Sequence, residues 1–216
     1  MQLKVSAILT AAGLSERMGS DKLLLKYSGK TLLQKAVDLL YELPVKEKIL
    51  VTTEDRLEKI ELPVNIKIVI NKYPEKGHSR SVRLGVEKAN ETDNVHHNRF
   101  ETSPLETIES PEQNTTHFLF LVADQPKLTK ADIMQIIDAG EINQDKIIYP
   151  VINDKPGTPS LFPIKFSDEL LRISGDTGGR VIRDLYLKSC LAVLPTNPER
   201  FADINTMEEY NALNDC

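Results

Sequence analysis

The chain has 216 residues, of which 40% are apolar and 27% charged, and a formal net charge of −5. That length allows one domain with a sizeable core, and the balance is that of a globular chain. The acidic total argues against general nucleic-acid binding, which favours a basic surface, but leaves room for an anionic small substrate held by the local field of a cleft.

The first apolar run, at 5–9, reads as a buried strand and is too short for a signal-peptide core. A loop of small and polar residues follows to Asp21, then a Leu23-Leu24-Leu25 element and a Ser28-Gly29 turn. Residues 31–40 place Leu32, Leu33, Ala36, Val37, Leu39 and Leu40 at helical period. Strands are expected at 48–52 and 66–70 with a short charged helix between them, and a helix at 79–89. The polar stretch 90–116 reads as a mobile surface insertion.

Residues 117–123 form the most continuously apolar strand, as suits the centre of a parallel sheet. Thr129 opens a helix with Asp132 at the capping-box position, facing inward through Ile133, Ile136 and Ile137. Further elements are a strand at 147–152, helices at 165–172 and 178–187, a strand at 191–194 and a helix at 206–213. This alternation predicts a single α/β domain over 1–216, a mostly parallel sheet with helices on both faces. Ligands of such sheets sit beyond the C-terminal ends of the strands. Cys190 and Cys216 read as reduced thiols. No apolar run approaches membrane-spanning length, and the expectation is a cytoplasmic protein without membrane contact.

Four segments carry residue types suited to a triphosphate and a metal. In the first loop, Leu9, Thr10, Ala11, Ala12 and Gly13 let the backbone approach a ligand, and Arg17 and Lys22 add positive charge for phosphate oxygens. Two familiar phosphate motifs fail here. The loop has only Gly13 and Gly19 where a dinucleotide fingerprint needs three glycines, and Leu24 stands where a Walker loop ending at Gly29-Lys30-Thr31 needs glycine. The second segment carries Ser79, Ser81, Val82 and Gly85 at a helix start, where hydroxyls either cap the helix or meet a nucleotide; for His78 and Arg80 a solvated side chain is expected. In the third, Asp124-Gln125-Pro126 ends the most apolar strand, so the carboxylate emerges at the ligand edge. Mg²⁺ needs only one or two carboxylates beside phosphate oxygens. The fourth is Asp203-Ile204-Asn205-Thr206, with Glu209 completing a capping box on Thr206.

Leu9 to Gly13, Arg17-Met18-Gly19 and Lys22-Leu23-Leu24-Leu25 together resemble the signature of nucleotidyltransferases with a glycosyltransferase-A-like, Rossmann-like three-layer fold. More narrowly they resemble the molybdenum cofactor cytidylyltransferases. The resemblance implies that the first loop wraps the triphosphate with Arg17 and Lys22 on its phosphates, and that Ser79, Ser81, Val82 and Gly85 lie beside base and ribose. It implies that Asp124 holds Mg²⁺, with Asp203 or Asn205 completing the metal site; Asn205 departs from the family's acidic residue. Gly157-Thr158-Pro159 and Gly175-Asp176-Thr177-Gly178-Gly179-Arg180 resemble the acceptor segments, so that Gly157, Pro159, Asp176, Gly178 and Arg180 would serve the acceptor. The implied reaction moves CMP from CTP to a molybdopterin-type phosphate and releases pyrophosphate. Alternatives are GTP, a sugar or polyol phosphate acceptor, or a non-catalytic nucleotide-binding chaperone. A molybdoenzyme or its maturation factor would then be the partner.

Overall fold

A computed structural model describes residues 2–14, 21–94 and 114–214. The first strand, β1 (Val5–Ala11), is buried along its whole length, as a run of small and branched apolar residues allows in a strand covered on both faces. A 3-10 turn at Lys22–Leu24 leads into a ribbon of β2 (Lys26–Tyr27) and β3 (Lys30–Thr31). Helix α1 (Leu32–Glu42) starts where Thr31 Oγ1 accepts from the Gln34 N–H. Then come β4 (Glu47–Thr52), the single-turn α2 (Glu54–Leu57), β5 (Lys67–Ile70) and α3 (His78–Asn94).

The most apolar strand, β6 (His117–Val122), precedes α4 (Lys130–Ile142), which opens on the expected reciprocal box of Thr129 and Asp132. The remainder comprises β7 (Ile147–Ile152), β8 (Lys155–Pro156), β9 (Ser160–Pro163), α5 (Ser167–Arg172), α6 (Arg180–Leu185), β10 (Cys190–Val193) and α7 (Met207–Asn214). The Thr206–Glu209 box at α7 also forms, with Thr206 Oγ1 accepting from the Glu209 N–H at 3.1 Å and Glu209 Oε2 accepting from the Thr206 N–H at 3.0 Å.

The main sheet runs β10-β7-β9-β6-β1-β4-β5, with β8 attached to β7. Strands β6, β1, β4 and β5 are mutually parallel, as are β10 and β7, whereas β9 runs antiparallel to both of its neighbours. Alternate residues face opposite layers. On one side Ala7, Leu9 and Leu121 pack with Val37 and Leu40 of α1 and Ile133 and Ile136 of α4. On the other, Ile8, Ile49 and Phe120 pack with Val82 and Val86 of α3 and Leu170 of α5. The expected α/β architecture, one domain of three layers, is the observed one.

Several boundaries differ from expectation. Helix α3 continues through 90–94, and Thr116 donates from its N–H to Lys4 O at 2.8 Å while accepting from the Ile164 N–H at 2.8 Å. Both flanks of the expected insertion thus belong to folded elements, and 95–113 lie outside the described residues. Strand β9 was not expected, and the helix expected at 178–187 is confined to Arg180–Leu185.

Candidate active site

The parallel strands β1, β4, β5 and β6 end on one edge of the sheet, and the chain leaves each of them into the same region. Ala11 is level with Thr52 of β4, and Thr10 with Val122 of β6, so the residues after β1 and Asp124 after β6 are neighbours by register. Behind the edge, Ile204 donates from its N–H to Asp124 O at 2.9 Å and brings the C-terminal segment beside them. A cleft of about 540 Å³ opens here, lined by residues 10–14, Lys22, His78, Ser81, Asp124, Asp176 and Asn205 among others. A second groove, about 400 Å³, lies between α1 and the turn before α4, lined by Leu9, Leu121, Gln125, Pro126 and Thr129 among others.

Lys22 and Asp124, 102 residues apart, meet in the first cleft at 2.6 Å, Nζ to Oδ2. The same ammonium donates to Ile204 O at 3.0 Å and to Asn205 Oδ1 at 3.2 Å. Both side chains are more than four-fifths buried. The other oxygen of Asp124, Oδ1, is buried with no hydrogen-bond partner among the described residues. Unpaired buried carboxylate oxygens are costly, so this atom marks a place fit for a cation or donor. Asp203 stands close by, its Oδ1 accepting from Gln125 Nε2 at 2.9 Å. Burial, and next the negative charge of Asp124, push its carboxyl up to about 6, against the hydrogen bond from Gln125 and the charge of Lys22. Asp124, Asp203 and Asn205 thus share one corner. No cluster of three His, Cys, Asp or Glu suited to a metal occurs among the described residues.

The second segment divides. Ser81 lines the cleft, its Oγ accepting from Asn71 Nδ2 at 3.1 Å. Ser79 is buried and donates from its N–H to Gly175 O at 3.3 Å, while Val82 and Gly85 lie on the sheet side of α3. A Cβ at Gly85 would collide with Cγ2 of Ile8. These contacts make Val82 and Gly85 packing residues that set the height of α3 above β1. Gly77 turns the chain into α3 at φ 85° and lies so close to the Gly175 carbonyl that a Cβ would not fit. That contact joins the start of α3 to the 175–180 segment.

Of the residues expected to serve the acceptor, Asp176 lines the cleft and accepts at Oδ1 from the His78 N–H at 3.3 Å, and Gly178 packs against the His78 ring. Gly157 donates to Pro150 O at 2.8 Å, Pro159 follows a cis peptide bond, and Arg180 is largely exposed beside Asp184 at 3.4 Å. Leu9 belongs to the core. Arg17 lies outside the described residues.

Four residues at or behind this site carry more than their setting in the sequence signals. His78 is half-buried rather than free in solvent: it lines the cleft, and burial holds its imidazole below its usual pKa against the pull of Asp176 and Asp124. Arg80 is likewise engaged, donating to Asn71 Oδ1 at 3.0 Å over the Tyr73 ring. Gln125 is buried with Nε2 in reach of Thr158 O, Thr158 Oγ1, Phe201 O and Asp203 Oδ1, and so joins the β8–β9 connection to the corner of Asp124 and Asp203. Arg56 gave no signal, because a cation among Glu54, Asp55 and Glu58 reads as solvated.

A family model described as "MobA-like NTP transferase domain" matches residues 7–190. A segment of 88 residues is 40% identical to the "Bifunctional IPC transferase and DIPP synthase" of Thermococcus kodakarensis. That match covers 38% of this chain and only 20% of the longer protein. Among solved structures, Rv0371c from Mycobacterium tuberculosis H37Rv superposes with a TM-score of 0.74 at 22% identity over 100% of both chains. The same protein has been solved in complex with manganese, with a TM-score of 0.69 at 21% identity and 98% coverage of each chain. A cytidylyltransferase from Leptospira borgpetersenii gives 0.68 at 15% identity over 100% of this chain and 87% of the other. At these identities the structural likenesses establish the fold.

Proposed function

The chain belongs to the family of MobA-like NTP transferase domains, and from that membership we propose that it transfers CMP from CTP to the phosphate of a molybdopterin-type acceptor. The observation that carries this reading is the meeting of Lys22 with Asp124 at the sheet edge, beside the small-residue loop after β1. In the proposed reaction an acceptor phosphate oxygen attacks the α-phosphorus of CTP. The bond from that phosphorus to the α–β bridging oxygen breaks, and pyrophosphate leaves. No side-chain nucleophile is required, so catalysis rests on positioning and charge.

Each group then has a defined task. The loop of residues 11–14 gives the triphosphate close backbone approach, and Arg17 and Lys22 offset its charge. Ser81 with its Asn71 partner faces the nucleoside side; Asp176, Gly178 and His78 border the acceptor side, with Gly157, Pro159 and Arg180 supporting it. Asp124 Oδ1, without a partner among the described residues, fits Mg²⁺, and Asp124 with Asp203 and Asn205 would hold it. Bound there, Mg²⁺ supplies Lewis-acid neutralisation of phosphate charge. The manganese complex of Rv0371c supports a divalent ion in this fold. The single domain 1–216 works in the cytoplasm; no helix among the described residues is long and apolar enough to cross a membrane.

A second reading keeps the chemistry and changes the acceptor to a sugar or polyol phosphate, favoured by the identity with a protein named for IPC transfer. The test is pyrophosphate release from CTP or GTP with Mg²⁺ or Mn²⁺, with a pterin phosphate or a polyol phosphate as acceptor. Cytosine dinucleotide formation with the pterin alone supports the first reading. Turnover only with the polyol phosphate selects the second, and nucleotide binding without pyrophosphate release under any pairing turns both toward a non-catalytic chaperone.

A further inference from the structure

We infer that Arg56 is a positioning residue that ties together the two ends of the loop after β1, an inference that rests on the reading of that loop as the triphosphate cradle. Arg56 sits on the single-turn α2, follows β4 rather than β1, and is 5% exposed. Its guanidinium grips Asp21 with two parallel bonds, Nε to Oδ2 at 2.7 Å and Nη2 to Oδ1 at 2.8 Å. The remaining donors reach the other end of the loop, Nη1 to Ala11 O at 2.7 Å and Nη2 to Gly13 O at 2.6 Å. One planar fork therefore spans the point where the chain enters the loop and the point where it leaves.

Two consequences follow from covalent geometry. In a trans peptide the C=O and the following N–H point in opposite directions. With the carbonyls of Ala11 and Gly13 turned onto Arg56, the N–H groups of Ala12 and Leu14, both cleft-lining residues, point away from it. An anion-binding concavity needs N–H groups presented together. At the other end, Asp21 Oδ1 also accepts from the Leu23 N–H at 3.1 Å and caps the 3-10 turn that carries Lys22. Arg56 thus fixes both the amides of the loop and the root of the lysine that meets Asp124. Lysine at this position could supply the charge but not the fork, because its three donors radiate from one nitrogen.

The test uses full-length Arg56→Lys and Asp21→Asn, the second guarding against loss of the fold through the buried cation. Backbone amide exchange is followed without ligand in peptides covering 10–14 and 21–25, and KM and kcat are measured for CTP in pyrophosphate release. Both variants should exchange at least tenfold faster in those two peptides, with α1 and α4 at wild-type protection, and raise KM for CTP tenfold or more. Wild-type exchange in the two peptides, loss of protection spread over α1 and α4, or a wild-type KM overturns the inference. The exchange arm needs no nucleotide: faster local exchange in a protein whose wild type turns over none of the nucleotides keeps the tether and removes the function reading instead.

Discussion

The two oxygens of Asp124 stand in different circumstances. Oδ2 is neutralised by Lys22, whereas Oδ1 is buried without a hydrogen-bond partner among the described residues, so an amide in its place would keep the shape and lose the charge. Asp124→Asn should lower pyrophosphate release by about 10³-fold, on the order of 4 kcal/mol in transition-state stabilisation, with unchanged circular dichroism. A variant within tenfold of wild type removes the assigned role. His117, at the far end of β6, provides a separate prediction. Its Nε2 donates to Gln144 O at 2.9 Å, and burial holds its pKa below 6.5. The unfolded chain therefore takes up the proton first, so stability is intact above pH 6.5 and declines as pH falls through the folded value. Asp203, whose carboxyl is pushed up to about 6, gains stability over the same range, so the share of His117 is read by difference: between pH 7.5 and pH 5 the urea midpoint of His117→Gln should fall less, or rise more, than that of the wild type. At this scale the sequence signalled Lys22 and Asp124 because their residue types fall on a strand end and its facing loop. It gave no sign of Arg56 or of the reach of Gln125, since those roles exist only once segments 35 to 78 residues away are folded against them.

Strand β1 and helix α3 are held at a separation set by Gly85. A methyl group there has to displace Ile8 Cγ2, and overpacking of this kind typically costs about 1–3 kcal/mol. Gly85→Ala should lower the unfolding free energy by that amount, seen as a lower urea midpoint at an unchanged denaturant slope. It should also raise KM for the nucleotide, because α3 carries His78 and Ser81 into the cleft. An unchanged midpoint means that α3 shifts freely and Gly85 is not its spacer. Elements with strong periodicity were readable in advance: β1 and β6 from continuous apolar runs, α1 from its spaced leucines, α4 and α7 from their capping residues. Strand β9 escaped because three residues between two prolines, Ser160-Leu161-Phe162 between Pro159 and Pro163, look like a fixed loop. Only its place between β6 and β7, where Phe118 pairs with Phe162 and Ile148 with Leu161, makes it a strand.

Across the whole molecule, the cleft collects residues from 10–14, 22, 77–81, 124, 176 and 205, so a ligand filling it bridges segments that unfold together. Binding to the folded state alone adds RT ln(1 + [L]/Kd), about 2.7 kcal/mol at a hundredfold excess over Kd. For a domain of this size that corresponds to a rise of roughly 5–10 °C in Tm. CTP with Mg²⁺ should produce such a rise in a thermal scan, and Asp124→Asn should abolish most of it. An equal shift in the variant places the nucleotide elsewhere.

The amine of Lys22 rests among three oxygens, from Asp124, Ile204 and Asn205. The chain thereby carries its own counter-ion into the native state, and maturation of that corner asks nothing of the medium. Refolding in the presence of a strong chelator should give the same native yield as refolding with Mg²⁺. Exchanging the amine for a thioether in Lys22→Met strands a carboxylate without its neutralising partner, and the refolding yield should then come to depend on added divalent salt.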